Sequence, residues 1–186
     1  MHIFIKMRKK IIQEIEIPNE VEAKIDGNIL TIKSKERENK KRFNTNKLIF
    51  EKKENKIIIK NEKATKSEKK MINTIAAHIK NMIKGVQEKF EYKLKIVFSH
   101  FPMSVDIKGH VVTIKNFLGE KKPRTLKIID NVEVKIEGDV IKVISHDKEL
   151  AGQMAANFEK TTKIRMKDRR IFQDGIFITN KAGKEI

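Results

Sequence analysis

Three cations fall within four residues in the second half of the chain, at Lys121, Lys122 and Arg124. Gly119 and Pro123 flank and interrupt this cluster, which indicates a loop. A loop of this kind can contact several phosphate groups at once, because its cations need not be gathered from distant elements. Taken alone, the segment is equally consistent with a solvated turn that binds nothing.

A second cationic segment follows, from Lys163 to Arg170. Cations alternate with apolar residues at its start, so an extended conformation would place Lys163, Arg165 and Lys167 on one face. Arg169 and Arg170 carry planar guanidinium groups, which suit bidentate contacts with phosphate or guanine. The alternative is a charged, exposed edge strand. It is less favourable, because five cations and one anion within eight residues repel one another unless a partner neutralises them.

The remaining polar residues do not form a pattern typical of catalysis. Asp168 and Asp174 are predicted to orient the arginines and the turn at Gly175, which precedes a short strand at Ile176–Ile178. There is no cysteine, no glycine-rich nucleotide loop and no nucleophile elbow, and the five histidines lack metal-ligand spacing. With one tyrosine and no tryptophan, a base-stacking platform is poorly supplied. We therefore predict no enzymatic activity, no cofactor and no metal site.

The net charge of the chain limits the class of partner. Lysine and arginine number 42 and aspartate and glutamate 25, giving a formal charge of +17 over 186 residues. Such a surplus repels itself unless a polyanion neutralises it, and nucleic acid releases condensed counterions when it binds. A membrane surface is the second candidate, although the charge is spread along the whole chain and not confined to one amphipathic helix. A solvated, lysine-rich surface is the third.

The apolar runs are too short for a membrane span. A transmembrane helix needs about 20 apolar residues, whereas Ile57–Ile59 is typical here. The first six residues break their apolar stretch too early for a secretory signal. A soluble intracellular protein is expected.

Two stretches of the chain share one pattern. Residues 16–32 and 100–114 each begin with an apolar–proline pair, alternate in polarity, turn at a glycine (Gly27 or Gly109) and alternate again. Alternation broken by such a turn is typical of a β-hairpin. A second hairpin is predicted after each, the first of them turning near Glu54–Asn55.

Each half then changes to the helical period of 3.6 residues. In the first half, Thr65 and Glu68 predict a capping box and Gly85 a C-terminal cap. In the second half, Asp147 is the predicted N-cap of a helix whose apolar face reaches Phe158.

The predicted fold is therefore α+β, a tandem duplication of a small unit of antiparallel strands packed against one helix. We expect the units at residues 1–87 and 88–186, with a strand at Tyr92–Phe98 opening the second and another at Val111–Lys115. One helix on one sheet face buries only a modest core, so each unit is expected to be marginal alone.

Six segments, in this order, carry a resemblance to one family: HIKNMIKG at 78–85, YKLK at 92–95, SHFP at 99–102, KNFLGEK at 115–121, AAN at 155–157 and DRRIFQDGIFI at 168–178. The chain resembles large-subunit ribosomal protein six in its archaeal and eukaryotic form (protein nine in eukaryotic naming). The resemblance covers nearly the whole chain, and the sequences of these segments are closer to the archaeal form than to the eukaryotic one. That family is two copies of one α+β unit.

The resemblance implies a structural, cytoplasmic component of the large ribosomal subunit. Its partners would be large-subunit rRNA near the sarcin–ricin loop and the stalk base, neighbouring ribosomal proteins and translational GTPases nearby, with no membrane and no DNA. The RNA-facing segments of the family fall on Gly119–Arg124 and Arg165–Gly175. The residues expected to bind RNA are Lys121, Lys122, Arg124, Lys163, Arg165, Lys167, Arg169 and Arg170. The residues expected to support them are Asn116, Gly119, Phe172, Asp174 and Gly175.

The first unit departs from the family pattern at one turn. The family commonly has Gly-Pro-Lys-Gly after its first hairpin, whereas this chain has Ser34-Lys35-Glu36-Arg37, followed by cations at 40–42. An RNA contact from this loop is left open. A free-standing RNA or DNA chaperone fits the charge as well as a ribosomal protein does. A nucleic-acid-modifying enzyme would need a carboxylate pair or a nucleotide loop, and neither is present.

Overall fold

The computed structural model describes residues 9–34, 37–45, 48–168 and 170–186. The chain divides into two compact units, residues 1–88 and 89–186. The predicted turn at 34–37 lies partly outside the described residues, and Arg169 lies outside them too. No helix in the described part is long and apolar enough to cross a membrane.

In its described residues, the first unit contains two antiparallel three-stranded sheets and one helix. The strand orders are β1-β6-β5 and β2-β3-β4. The elements are β1 Lys9–Glu16, β2 Glu22–Asp26, β3 Ile29–Lys33, β4 Glu38–Arg42, β5 Ile49–Lys53, β6 Lys56–Ala64 and α1 Lys66–Gln87.

The helix α1 packs against both sheets, since it contacts β1 and β6 of one and β3 and β4 of the other. Their inward side chains form one core, in which Leu30 of β3, Ile57 and Ile59 of β6, and Ile72 and Ile79 of α1 are fully buried. The predicted unit of antiparallel strands packed against one helix is therefore confirmed. Its strands form two sheets on the same helix, and the second sheet enlarges the core.

The two ends of α1 test the predicted caps. The capping box is confirmed, since the Thr65 N–H donates to the Glu68 carboxylate at 2.8 Å. The C-terminal cap at Gly85 is wrong, because the helix continues to Gln87 and the Glu88 N–H caps it by bonding the Lys84 carbonyl at 2.8 Å. Glu88 is extended, so no left-handed residue is needed there, and Gly85 instead lies on the buried face of the helix.

The second unit repeats this arrangement and extends it. Its sheets have the orders β10-β9-β8 and β11-β12-β7-β13-β14. The elements are β7 Phe90–Val97, β8 Ser104–Lys108, β9 Val111–Lys115, a 3-10 turn at Phe117–Gly119, β10 Arg124–Lys127, β11 Glu133–Glu137, β12 Val140–Ser145, α2 Lys148–Thr161, β13 Gly175–Lys181 and β14 Lys184–Glu185.

The strand orders confirm the predicted duplication. The order β1-β6-β5 corresponds to β7-β12-β11, and β2-β3-β4 corresponds to β8-β9-β10. All four predicted hairpin turns are present, and Asp147 caps α2 by accepting the Glu149 N–H at 2.8 Å. The second unit differs by adding β13 to the other side of β7. The segment between α2 and β13 therefore leads into a strand whose first residue, Gly175, pairs with Val97 at the end of β7.

Candidate nucleic-acid interface

The loop between β9 and β10 is held in one conformation. Asn116 adopts a left-handed conformation with φ of 58°, and its side-chain amide donates to the Pro102 carbonyl at 2.9 Å. Gly119 has φ of 77°, and a Cβ there would lie 3.4 Å from the ring of Phe101. These contacts fix the start of the loop. That they support an RNA-binding loop stays a prediction.

Arg124 is bound within the protein. Its Nε and Nη2 donate to the two carboxylate oxygens of Glu120 at 2.8 and 2.5 Å, and its Nη1 donates to the Thr161 carbonyl at 2.6 Å. Its guanidinium also lies 4.2 Å from the centre of the Phe117 ring. The hydrogen bonds from Arg124 hold the pKa of the Glu120 carboxyl below its usual value. Arg124 therefore joins the loop to the end of α2, which is a positioning role in the free protein. Its expected contact with RNA stays a prediction.

Lys121 and Lys122 are exposed at the tip of the loop. Neither side chain has a hydrogen bond or an ion pair with any residue in the described part of the chain. Their ammonium groups are therefore free to contact an external anion.

The chain leaves α2 at Thr162, which is buried. Its Oγ1 donates to the Phe158 carbonyl at 3.2 Å and accepts the Ile176 N–H at 3.0 Å. The interpretation of residues 163–167 as an extended strand is wrong, since they form bends and irregular backbone. Met166 has φ of 56°, which breaks the alternation that would have placed three cations on one face.

The cations of this segment are nevertheless exposed. Lys163, Arg165 and Lys167 face solvent, and the Lys167 ammonium lies 4.4 Å from the centre of the Phe172 ring. Within the described residues, the side chains of Lys163 and Arg165 have no ion pair. The charge expected from the sequence is therefore on the surface, although in an irregular geometry.

The fold brings the two cationic segments together. One cleft of about 380 Å³ is lined by loop residues 117–120 and Arg124 on one side and by residues 164, 165 and 167 on the other. A second cleft of about 400 Å³ adds Lys160 and Lys163 to Arg124 and Arg165. Residues far apart in sequence thus line common clefts. The basic surface, as it is named hereafter, comprises the exposed cations of these clefts, Lys160, Lys163, Arg165 and Lys167, together with Lys121 and Lys122, which follow Glu120 in the same loop.

Arg170 is exposed but paired with a neighbouring anion. Its guanidinium donates to the Asp168 carboxylate, the closest contact being 3.0 Å from Nη2 to Oδ2. Hydrogen bonds from the Arg170 side chain and backbone lower the pKa of Asp168. The prediction that Asp168 orients an arginine is confirmed. In the free protein, Asp168 neutralises part of the charge expected of Arg170.

Asp174 has a different partner from the one expected. Its buried carboxylate accepts the backbone N–H groups of Ser99 and His100 at 2.7 and 3.1 Å, and the His100 Nδ1 lies 2.6 Å from its other oxygen. Burial raises the pKa of Asp174, but these hydrogen bonds outweigh it and lower the pKa to about 2. Asp174 contacts no arginine among the described residues; it ties the segment before β13 to the turn after β7.

Phe172 and Gly175 complete the support. The Phe172 ring stacks on the imidazole of His100 with centroids 4.7 Å apart. Gly175 is buried, and a Cβ there would lie 3.1 Å from the ring of Phe177. Side-chain size is therefore restricted at this position.

Sequence reasoning missed the partners that hold the surface in place: Ser99, His100, Glu120, Thr161 and Thr162. Two signals were present. His100 lies in the SHFP segment, and Glu120 precedes Arg124 by four residues.

The described part of the chain contains no group of three or more acidic or histidine side chains placed to hold a metal ion. The groups that the basic surface exposes are cations.

The comparisons with known proteins give the family of the chain. The ribosomal protein L6 family pattern matches residues 17–89 and 101–175. This chain belongs to the ribosomal protein L6 family. The two matched ranges fall one in each unit, and the second contains both segments of the basic surface.

Individual relatives in the L6 family match along nearly their whole length. The large ribosomal subunit protein uL6 of Methanococcus vannielii is 44% identical over 172 residues, covering 92% of this chain and 94% of the relative. That of Methanobrevibacter smithii is 43% identical over 169 residues, covering 91% and 95%. That of Methanosphaera stadtmanae is 44% identical over 177 residues, covering 95% and 96%.

Proposed function

We propose that this chain holds large-subunit rRNA through the basic surface of its second unit, close to the sarcin–ricin loop and the stalk base, where translational GTPases dock. Membership of the L6 family supplies the coarser statement: the chain is a structural, non-enzymatic constituent of the large ribosomal subunit, bound to rRNA and ribosomal proteins in the cytoplasm. The position within the subunit and the nearby factors are the proposal.

The observation that carries this proposal is the convergence of unpaired cations. Lys121, Lys122, Lys163 and Arg165 come from two segments that line common clefts, and their side chains are without ion pairs among the described residues. Some cations elsewhere in the same unit are paired, as Lys142 is with Glu137 at 2.5 Å and Lys115 is with Asp106 at 2.7 Å. Unpaired cations side by side repel one another, and RNA phosphates remove that repulsion while releasing counterions.

The surface acts by fixed positioning. Arg124 ties the loop to α2, and Asp174 ties the second segment to the turn after β7. The two segments are therefore already ordered in the free protein, so RNA binding loses less conformational entropy. A preorganised surface sets the relative orientation of the rRNA segments it contacts. This geometry supports a permanent structural component over a chaperone, which binds and releases many RNAs.

Sedimentation separates a ribosomal component from a free-standing RNA chaperone. On a sucrose gradient, the chain is expected to co-sediment with the large subunit at one copy per particle and to remain there at moderate salt. Recovery in the light fractions, or sub-stoichiometric binding that salt removes, would contradict the proposal and favour a chaperone.

Directed cleavage tests the proposed location. The chain has no cysteine, so Lys122→Cys supplies one attachment point for an iron chelate that cleaves nearby RNA. The matched control is Lys135→Cys on β11, at the opposite edge of the five-stranded sheet from β13–β14. Cuts in the sarcin–ricin loop and the stalk base from position 122, weaker from position 135, are expected. Cuts elsewhere from position 122 would overturn the location.

A further inference from the structure

An open groove lies beside β13 and the end of α2, next to the basic surface. It has a volume of about 880 Å³, within the range of small-ligand sites. Its apolar lining comes from Val97, Ile164, Phe172 and Phe177. We propose that this groove receives one unstacked base of the rRNA, so that the surface holds a looped-out nucleotide as well as phosphates; the proposal rests on the proposed function.

Exposed aromatic surface is the first argument. Phe177 is 46% exposed although it stands on a strand, and Gly175 leaves room for its ring, which a Cβ at that position would displace. Ile171, two residues before Gln173 of the groove, is 64% exposed. A single-stranded base stacks on an exposed ring of this kind because every base has a π-face. The ring available here is that of Phe177, since the Phe172 ring is already stacked on His100. The low tyrosine and tryptophan count hid this feature, because the exposed ring is a phenylalanine.

The edge of β13 argues against a peptide strand as the occupant. A strand added to a sheet needs free backbone N–H groups on that edge. The Ile176 N–H already bonds Thr162 Oγ1 at 3.0 Å, and the Ile178 N–H bonds Glu159 Oε1 at 3.0 Å. Both donors are therefore occupied by side chains of the protein itself.

The charges around the groove favour a nucleotide. Lys160 and Lys163 line it and are exposed, so they can contact the phosphates on either side of a base. The two carboxylates that line it, Glu159 and Asp174, are bonded to backbone N–H groups. An occupant with a flat apolar body and anionic flanks matches this combination. The side-chain amide of Gln173 donates to the Arg170 carbonyl at 3.4 Å, which leaves its oxygen to accept a hydrogen bond from the base edge.

Substitution at Phe177 tests the groove. The probe is an rRNA fragment containing the sarcin–ricin loop and the stalk base, with binding measured across several salt concentrations. Phe177→Thr keeps a strand-forming residue but removes the ring, and it is expected to weaken binding by roughly 5- to 150-fold, the range for one stacked base. The slope of log affinity against log salt should be unchanged, because no phosphate contact is lost.

Three controls separate the outcomes. Phe177→Trp retains a stacking ring and should bind nearly as the parent does. Ile29→Thr, at a strand position of the first unit that is 42% exposed, should bind unchanged. Thermal unfolding of each variant shows whether it is folded.

Parent-like binding by folded Phe177→Thr would overturn the base groove while leaving the phosphate contacts standing. If that variant bound rRNA normally but entered large subunits poorly, a protein neighbour would be the occupant, and the proposal would also fail. Failure of the parent chain to bind the fragment would overturn the proposed location and the groove together.

Discussion

Arg124 and Thr161 are joined by a hydrogen bond of 2.6 Å, from the guanidinium Nη1 to a carbonyl in the last turn of α2. The last carbonyls of a helix lack intrahelical partners and carry partial negative charge. A guanidinium there donates a hydrogen bond to such a carbonyl and neutralises part of its charge. The same group binds Glu120 with its other nitrogens. One side chain thereby connects the two segments that form the basic surface.

Replacing Arg124 distinguishes a positioning residue from a phosphate ligand. Arg124→Ala should lower the free energy of unfolding by about 1 to 2 kcal/mol, because it removes charge-assisted hydrogen bonds and ring packing. Affinity for the rRNA fragment should fall with an unchanged salt slope. Arg124→Lys keeps the charge but loses the bidentate geometry, so it should recover little of either. A slope reduced by about 0.7 to 0.9 in Arg124→Ala would instead identify a phosphate contact.

The ionisation of Asp174 makes the free energy of unfolding depend on pH. Its pKa is lowered from 3.8 to about 2 in the folded protein, so its ionised form stabilises the fold by about 2 kcal/mol above pH ~4. This contribution is fully present above the unfolded pKa and is lost as the pH falls toward about 2. Chemical denaturation of the parent and Asp174→Asn should therefore differ by about 2 kcal/mol near neutral pH and converge in acid.

The control for this prediction is Asp130→Asn, at an exposed turn of the same unit. Near neutral pH it should leave the free energy of unfolding close to that of the parent. A constant difference between the parent and Asp174→Asn across the acid range would show that the ionised carboxylate is not what stabilises the fold.

Gly119 tests the conformation of the loop. Because its φ is 77° and the Phe101 ring lies 3.4 Å from the position of a Cβ, Gly119→Ala should destabilise the unit by about 1 kcal/mol. Displacement of the loop should also weaken rRNA binding. Gly109→Ala is the matched control, since Gly109 has a similar φ of 58° in a hairpin turn with nothing within 4 Å of its Cβ. Equal effects on rRNA binding from both substitutions would remove the special role of Gly119.

The core of the first unit is tested at Ile79, which is fully buried on α1. Ile79→Ala should lower the free energy of unfolding by about 2 to 5 kcal/mol, because it leaves a cavity between the helix and the sheets. Denaturant unfolding of the whole chain gives the value. A change within error would mean that the helix does not pack as described.

Local patterns in the sequence were sufficient for the repeated fold. Alternation with turn residues located the hairpins, and side-chain capping at Thr65 and Asp147 located the starts of both helices. Gly85 was misread because a C-cap glycine and a buried glycine look alike without knowledge of the packing. The first strand, β1, was not predicted, since its pairing with β6 depends on residues far away in the chain.

The cationic residues were sufficient to predict the basic surface from the sequence. Its geometry could not be predicted, because it depends on contacts between residues far apart in the chain. The cations of the two segments were identifiable by type and spacing. However, Arg124 binds within the protein because Thr161 lies close to it in the fold, which its sequence neighbours do not indicate. Met166 has a left-handed conformation, which breaks the extended strand that the alternation of cations and apolar residues predicted. Asp174 was assigned to arginines because they are near in sequence, whereas its partners at 99–100 approach only after β7 and β13 have paired.

The most direct test of the central claim is the salt dependence of rRNA-fragment binding in two variants of equal charge. One replaces Lys121, Lys122, Lys163 and Arg165 with alanine. The other replaces four lysines of the same unit that are paired with glutamates, namely Lys89, Lys93, Lys135 and Lys142. The first should reduce the log–log slope by about 3, at about 0.7 to 0.9 per phosphate, and the second by less than about 1. Equal reductions in both variants, or an unchanged slope in the first, would contradict the basic surface as the rRNA contact.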